Sequence, residues 1–209
     1  MTTEINVDVR FQTHCPIIMR IPWSARAAAT GNSPSANILS TKKEHTMALN
    51  PDFASPCGLY CGVCAIHIAH KDNNEKFKER LVNLYKGGVS GKGTLPNSEN
   101  LSTKDIRCGG CLSDDLFMHC RQCEIRDCAK KRGIDGCHQC EEFPCSFIDN
   151  FSMTVGKKVI LRCVPYRKKV GTIKWIEDEE KRYFCPECGN KVFRGTAKCN
   201  QCKARLDLD

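Results

Sequence analysis

The sequence predicts a small, mostly α, metal-stabilised cysteine-rich domain of short helices and knuckles, followed by a β zinc ribbon. Three observations lead there. The chain carries 17 cysteines in 209 residues. Aromatic residues make up only 7% and the mean hydropathy is -0.41, so apolar burial is thin and another kind of cross-link must help hold the fold. Finally, six Cys-x-x-Cys pairs begin at Cys61, Cys108, Cys120, Cys137, Cys185 and Cys199, and each is the two-ligand knuckle from which tetrahedral sulfur sites are built.

Three stretches follow one another. Residues 1–46 have no amphipathic period, Cys15 has no evident partner, and the segment reads as disordered or appended. Residues 47–170 form the cysteine-rich metal-binding core. Cys57-Gly-Leu-Tyr-Cys61-Gly-Val-Cys64 predicts a glycine-bearing knuckle leading into a short helix through Ile66 and Ile68. Asp72 to Lys86 places Phe77, Leu81, Leu84 and Tyr85 on one helical face, with Asp72 and Glu75 at its start and Gly87-Gly88 as its stop. Residues 87–100 read as a polar, glycine-rich loop, and Ser102 to Ile106 as one helical turn.

The next stretch repeats itself. Cys120-x2-Cys123-x4-Cys128 recurs 17 residues later as Cys137-x2-Cys140-x4-Cys145. Two knuckle-plus-helix units are expected, one helix running from Ile125 to Arg132 and capped by Gly133, the other opening at Pro144 in its first turn. Phe143, Phe147 and Phe151, four apart, are the apolar packing candidates. Thr154 to Tyr166 is apolar and β-branched around Val159, Ile160 and Leu161. Residues 171–209 then supply a linking helix over Ile173 to Lys181, with Trp175 and Ile176 on its inner face, and the ribbon, which Tyr183-Phe184 enters as a strand.

Within the ribbon, Cys185, Cys188, Cys199 and Cys202 are two knuckles separated by ten residues. Four thiolates close a tetrahedral site without an open position, which marks a structural zinc site; a rubredoxin-like iron site would use similar ligands. The core holds eleven cysteines: Cys57, Cys61 and Cys64, the pair Cys108 and Cys111, then Cys120, Cys123 and Cys128, and finally Cys137, Cys140 and Cys145. Two four-ligand sites leave three over, and three sites need one more ligand, for which His67, His70, His119 and His138 are candidates. Spacing leaves zinc and a [4Fe–4S] cluster both open for this core. Cys57-x3-Cys61-x2-Cys64 also matches the triplet of radical S-adenosylmethionine enzymes, but no alternation of strands and helices accompanies it. A thioredoxin-like role for any Cys-x-x-Cys pair lacks the βαβ context it requires.

The formal charge of +8 counts every cysteine as neutral. A zinc with four thiolates carries −2, so three such sites and one site of −1 would bring the total to about +1. Charge therefore argues weakly for nucleic acid, although the basic cluster Arg162, Arg167, Lys168, Lys169 and Lys174 offers a surface for it. No apolar run approaches the roughly 20 residues that cross a bilayer, and no secretory h-region is present. A cytoplasmic location with reduced thiols is the expectation.

In combination, Cys57-Gly-Leu-Tyr-Cys61-Gly-Val-Cys64, Cys108-Gly-Gly-Cys111-Leu, Cys123-Glu-Ile-Arg-Asp-Cys128-Ala with Arg132-Gly133, and Cys140-Glu-Glu-Phe-Pro-Cys145 resemble a widespread prokaryotic cysteine-rich family of unknown function. The resemblance covers roughly Ser55 to Trp175, and some members are similar to Lys174-Trp175 and Cys185 to Gly189 as well. It implies a cytosolic metal-binding protein and supplies no substrate. No paired acid and base or activated nucleophile is evident, so the reading leans away from an enzyme. The leading expectation is a zinc-stabilised accessory or interaction protein with a protein partner; the alternatives are an iron–sulfur electron-transfer protein or cluster-bearing subunit, and a ribbon that binds nucleic acid.

Overall fold

A computed structural model describes residues 49–87 and 98–209. The expectations for residues 1–46, for Cys15 and for the loop residues 88–97 lie outside the described residues. Six α-helices carry the rest: α1 (Ala65–Lys71), α2 (Glu75–Lys86), α3 (Glu124–Arg132), α4 (Ser146–Asp149), α5 (Thr154–Val170) and α6 (Thr172–Arg182). Short 3-10 turns at Cys61–Val63, Met118–Cys120 and Cys137–Gln139 hold cysteines between them. No helix among the described residues is long and apolar enough to cross a membrane.

Local sequence explains most helix ends. Asn74 caps α2, its side-chain oxygen accepting from the Phe77 N–H at 3.0 Å, so the cap falls two residues after Asp72. The buried face of α2 is Leu81 with Val82, while Leu84, expected inward, is 48% exposed. Gly133 ends α3 in the left-handed conformation (φ 64°), as a C-terminal glycine should. Pro144 does not open α4; the helix starts at Ser146 and the proline stays in the preceding loop. Phe143 and Phe151 pack against the core, whereas Phe147 is exposed.

The scaffold is organised by α5. Val159 and Cys163 form one i, i+4 stripe, packed with Ala54, Tyr60, Trp175 and Tyr183. Ile160 and Val164 form the adjacent stripe, packed with Cys57, Ile125 and Ile148. Both faces are almost fully buried, which explains why a β-branched run is stable as helix despite its propensity. Pro165 removes one helical N–H, yet it lies on the exposed side of the helix with Leu161. A third apolar cluster joins α1 and α2 through Ile66, Ala69 and Leu81 to Leu101, Ile106 and Phe117.

Gly58 lets the first knuckle approach α5 closely. Its φ is +85°, and a Cβ there would stand 2.7 Å from Val164 Cγ2. Buried polar groups then fix the α5–α6 contact. The Arg162 guanidinium donates to both Glu179 carboxylate oxygens at 2.5 and 3.2 Å, the Tyr60 hydroxyl donates to Glu180 at 2.8 Å, and Arg167 lies 5.0 Å from the Trp175 ring centre.

The expected β zinc ribbon is not formed, because no β-strand occurs among the described residues and Tyr183-Phe184 does not enter one. Only isolated bridges appear there, Phe184 with Lys191 and Lys198 with Arg205. The cause is local. The Cys185 N–H bonds the Asn190 carbonyl at 2.8 Å and the Cys199 N–H bonds the Ala204 carbonyl at 2.9 Å, so each knuckle closes within six residues. Gly189 (φ 69°) and Lys203 (φ 66°), each four positions after its cysteine, turn the chain left-handed before a second rung can pair. Two turns, rather than a sheet, carry these four cysteines.

Candidate metal centre

The two turns after α6 present their sulfurs to one another. Cys185 Sγ lies 3.6 Å from Cys202 Sγ, and Cys188 Sγ lies 3.6 Å from Cys199 Sγ. All four sulfurs fall within 4.8 Å of each other. A tetrahedral ion bound at 2.3 Å would hold its sulfurs about 3.8 Å apart, so the donor set and its spacing fit a single zinc-sized ion. Cys185 and Cys199 are buried, Cys188 and Cys202 exposed. The backbone N–H groups of Cys202 and Gln201 point to Cys199 and lower its thiol to about 6, which favours the thiolate that a metal requires. These four cysteines can hold a metal ion.

This centre is tied to the rest of the protein. Cys185 and Cys199 belong to the same apolar cluster as Trp175, Tyr60 and Val63. The loop between the two turns reaches further: the Arg194 N–H donates to the Val63 carbonyl at 3.0 Å, and its guanidinium donates to the Tyr60 carbonyl at 2.8 Å. Lys191 adds an ion pair with Glu180 at 2.7 Å. Arg194 thus clasps the knuckle that carries Cys61 and Cys64.

The eleven core cysteines gather without reaching that density. Among the described residues, no other three Cys, His, Asp or Glu ligand atoms lie mutually within 4.8 Å. Burial, then the charge of Cys64, Cys108, Cys123 and Cys61, pushes the Cys120 thiol up to about 12. Burial and the neighbouring Cys57 and Cys123 do the same for Cys111, also to about 12. Burial first, then Cys57, Cys145, Cys140 and Cys128, raises Cys137 to about 12. Metal-free, these thiols are neutral at physiological pH, and a bound cation would displace their protons.

Among the described residues no histidine joins three of the sulfurs. The His67 Nδ1 is 3.0 Å from the Cys108 carbonyl, and its ring packs edge-on to Phe53 with the Nε2 buried and unpartnered. His70 pairs with Asp115 at 3.6 Å, and His119 stacks at a tilt on Phe117. Cys163 is fully buried between α5 and α6, where burial pushes its thiol up to about 11; it packs as an apolar residue.

Three arginines near the cysteines escape a sequence reading. Arg126, buried, donates to the Cys120 and Arg121 carbonyls at 2.8 and 2.7 Å and fixes that turn. Arg132 forks onto Glu142 at 2.9 and 2.7 Å and reaches Cys140 Sγ at 3.8 Å. Arg194 meets partners more than 130 positions away, which no local pattern could reveal. Part of the basic cluster proposed from sequence is engaged within the fold: Arg162 pairs with Glu179 and Arg167 is buried on Ser55 and Trp175, while Lys174 pairs with Asp178 at the surface and Lys168 and Lys169 are exposed.

A helical scaffold bearing a four-thiol centre and a cysteine-lined core defines this as a cysteine-rich protein with metal-binding capacity. Residues 53–150 match a family described as a protein of unknown function, DUF3795. The match covers the core cysteines and stops short of the C-terminal four. Neither the curated proteins nor the solved structures contain a match to the chain.

Proposed function

We propose that Cys185, Cys188, Cys199 and Cys202 hold one zinc ion as a closed structural centre, and that the protein acts as a zinc-stabilised accessory protein through contact with a protein partner. The observation that carries the zinc assignment is the approach of four sulfurs to within 4.8 Å, with opposed pairs at 3.6 Å. Four thiolates fill the coordination of a tetrahedral ion, so the metal cross-links and does not react. Its mechanical role follows from its position: with both turns locked, Arg194 is held against Tyr60 and Val63, and Lys191 against Glu180.

Metal analysis of anaerobically purified full-length protein tests this directly. One zinc per chain is expected to disappear in Cys188→Ser, a change at an exposed ligand that leaves the buried Cys185 and Cys199 packing in place. Retention of that zinc by Cys188→Ser, or iron alone in its place, would refute the assignment. The partner is sought by co-purification with the zinc-loaded chain; a partner lost on chelation and regained with added zinc supports the accessory role.

A further inference from the structure

The second repeat of the core does not build another closed single-ion site. Cys137, Cys140 and Cys145 of that repeat, joined by Cys128 from the first, line one cavity of about 90 Å³. All four border it, and no three of their sulfurs come mutually within 4.8 Å. The contrast with the C-terminal centre lies within one molecule: there four cysteines close to single-ion distances, here four cysteines stand back from a shared space. A four-iron cluster is a body of eight atoms, and it holds its cysteines further apart than a lone ion does. We propose that this cavity is a [4Fe–4S] site with Cys128, Cys137, Cys140 and Cys145 as ligands, distinct from the zinc centre and independent of it.

The surroundings suit that occupant. Ile125, Ala129 and Phe147 give the cavity an apolar wall. Arg132 supplies a positive charge at its mouth and an N–H directed to Cys140 Sγ at 3.8 Å, anchored by its fork to Glu142. Hydrogen bonds and positive charge at cluster sulfurs raise the reduction potential. The ligand pattern also has a chemical logic: Cys128 leaves the pair Cys120 and Cys123 of its own repeat to complete the next site, the crossing arrangement found where two clusters lie side by side. The remaining core cysteines lie close to one another. Cys120 neighbours Cys64, Cys108, Cys123 and Cys61, while Cys111 neighbours Cys57, Cys123 and Cys120 and donates its N–H to Cys61 Sγ at 3.3 Å. Cys57 neighbours both Cys123 and Cys137, so the remaining sulfurs run up to the cavity.

The test is anaerobic reconstitution of the full-length chain with ferrous iron and sulfide, followed by iron, acid-labile sulfide and zinc analysis. Wild-type protein is expected to become brown, and Cys145→Ser to lose about four iron and four sulfide per chain relative to it, with zinc unchanged. Cys188→Ser is expected to lose zinc with iron unchanged, so that the two assignments fail separately. Because a ligand variant can misfold, Arg132→Gln is measured as well; the side chain is exposed and no ligand is removed. It is expected to keep the full iron content while lowering the dithionite-titrated midpoint potential of one cluster. Uptake of iron without sulfide, zinc alone in the core, full iron retention by Cys145→Ser, or unchanged potentials in Arg132→Gln would each overturn the proposal.

Discussion

At the scale of single residues, the polar contacts around α6 have a pH signature. Lys174 first, and then the Tyr166 hydroxyl at 2.6 Å, hold the Asp178 carboxyl below its ordinary value. A lowered carboxyl pKa contributes stability that is complete above the ordinary carboxyl range and fades as the pH falls through the lowered value. Asp178→Asn is therefore expected to cost about 0.5 kcal/mol at neutral pH, in keeping with a partly exposed pair. The gap to wild type should close in acid, as urea titrations at pH 7 and near pH 3 would show; a gap that widens in acid contradicts the pairing. Such contacts were only partly legible. Trp175 and Ile176 announced an inner face, but nothing nearby marks Glu179 and Glu180 as buried, because their partners Arg162, Tyr60 and Lys191 come from elsewhere in the chain.

At the scale of elements, the helices with local punctuation were readable: α2 from its amphipathic period, α3 from Gly133, α6 from its formers and its tryptophan. The run that becomes α5 shows no such signal, since Val159, Ile160, Val164 and Pro165 argue against a helix and tertiary burial on two stripes overrides them. The ribbon failed for the opposite reason. Its cysteine spacing is compatible with strands, but the left-handed residues Gly189 and Lys203 end pairing after one bridge. The packing of the first knuckle on α5 yields a sharper prediction. Gly58→Ala meets both an unfavourable φ and the Val164 methyl, and is expected to cost about 2 kcal/mol. Val164→Ala in the same chain removes the steric part only, so a double-mutant cycle should recover about half of that loss; full additivity would mean that the two residues do not meet.

For the whole molecule, the position of the thiol pairs matters more than their number. Cys185 and Cys199 sit in the cluster that contains Trp175, Tyr60 and Cys163, so residues on both sides of position 171 share one apolar core. If the C-terminal centre holds the ion proposed for it, its removal with a chelator is expected to lower the midpoint of a single cooperative melt followed by tryptophan fluorescence, since Trp175 reports on the shared core. A separate early transition that leaves Trp175 unaffected would instead mark an autonomous tail. The division of the eleven core cysteines was beyond the sequence for a related reason. Adjacent Cys-x-x-Cys sulfurs look like natural co-ligands, and only the folded arrangement shows Cys128 beside the later repeat and Cys111 beside Cys57.

The Arg194 clasp also sets a clock. Its guanidinium meets the Tyr60 carbonyl from 134 positions downstream. A ribosome adding about 5–20 residues per second needs roughly 7–27 s to make that intervening length. Until Arg194 has been made, the first knuckle, with Cys57, Cys61 and Cys64, lacks the residue that fastens it.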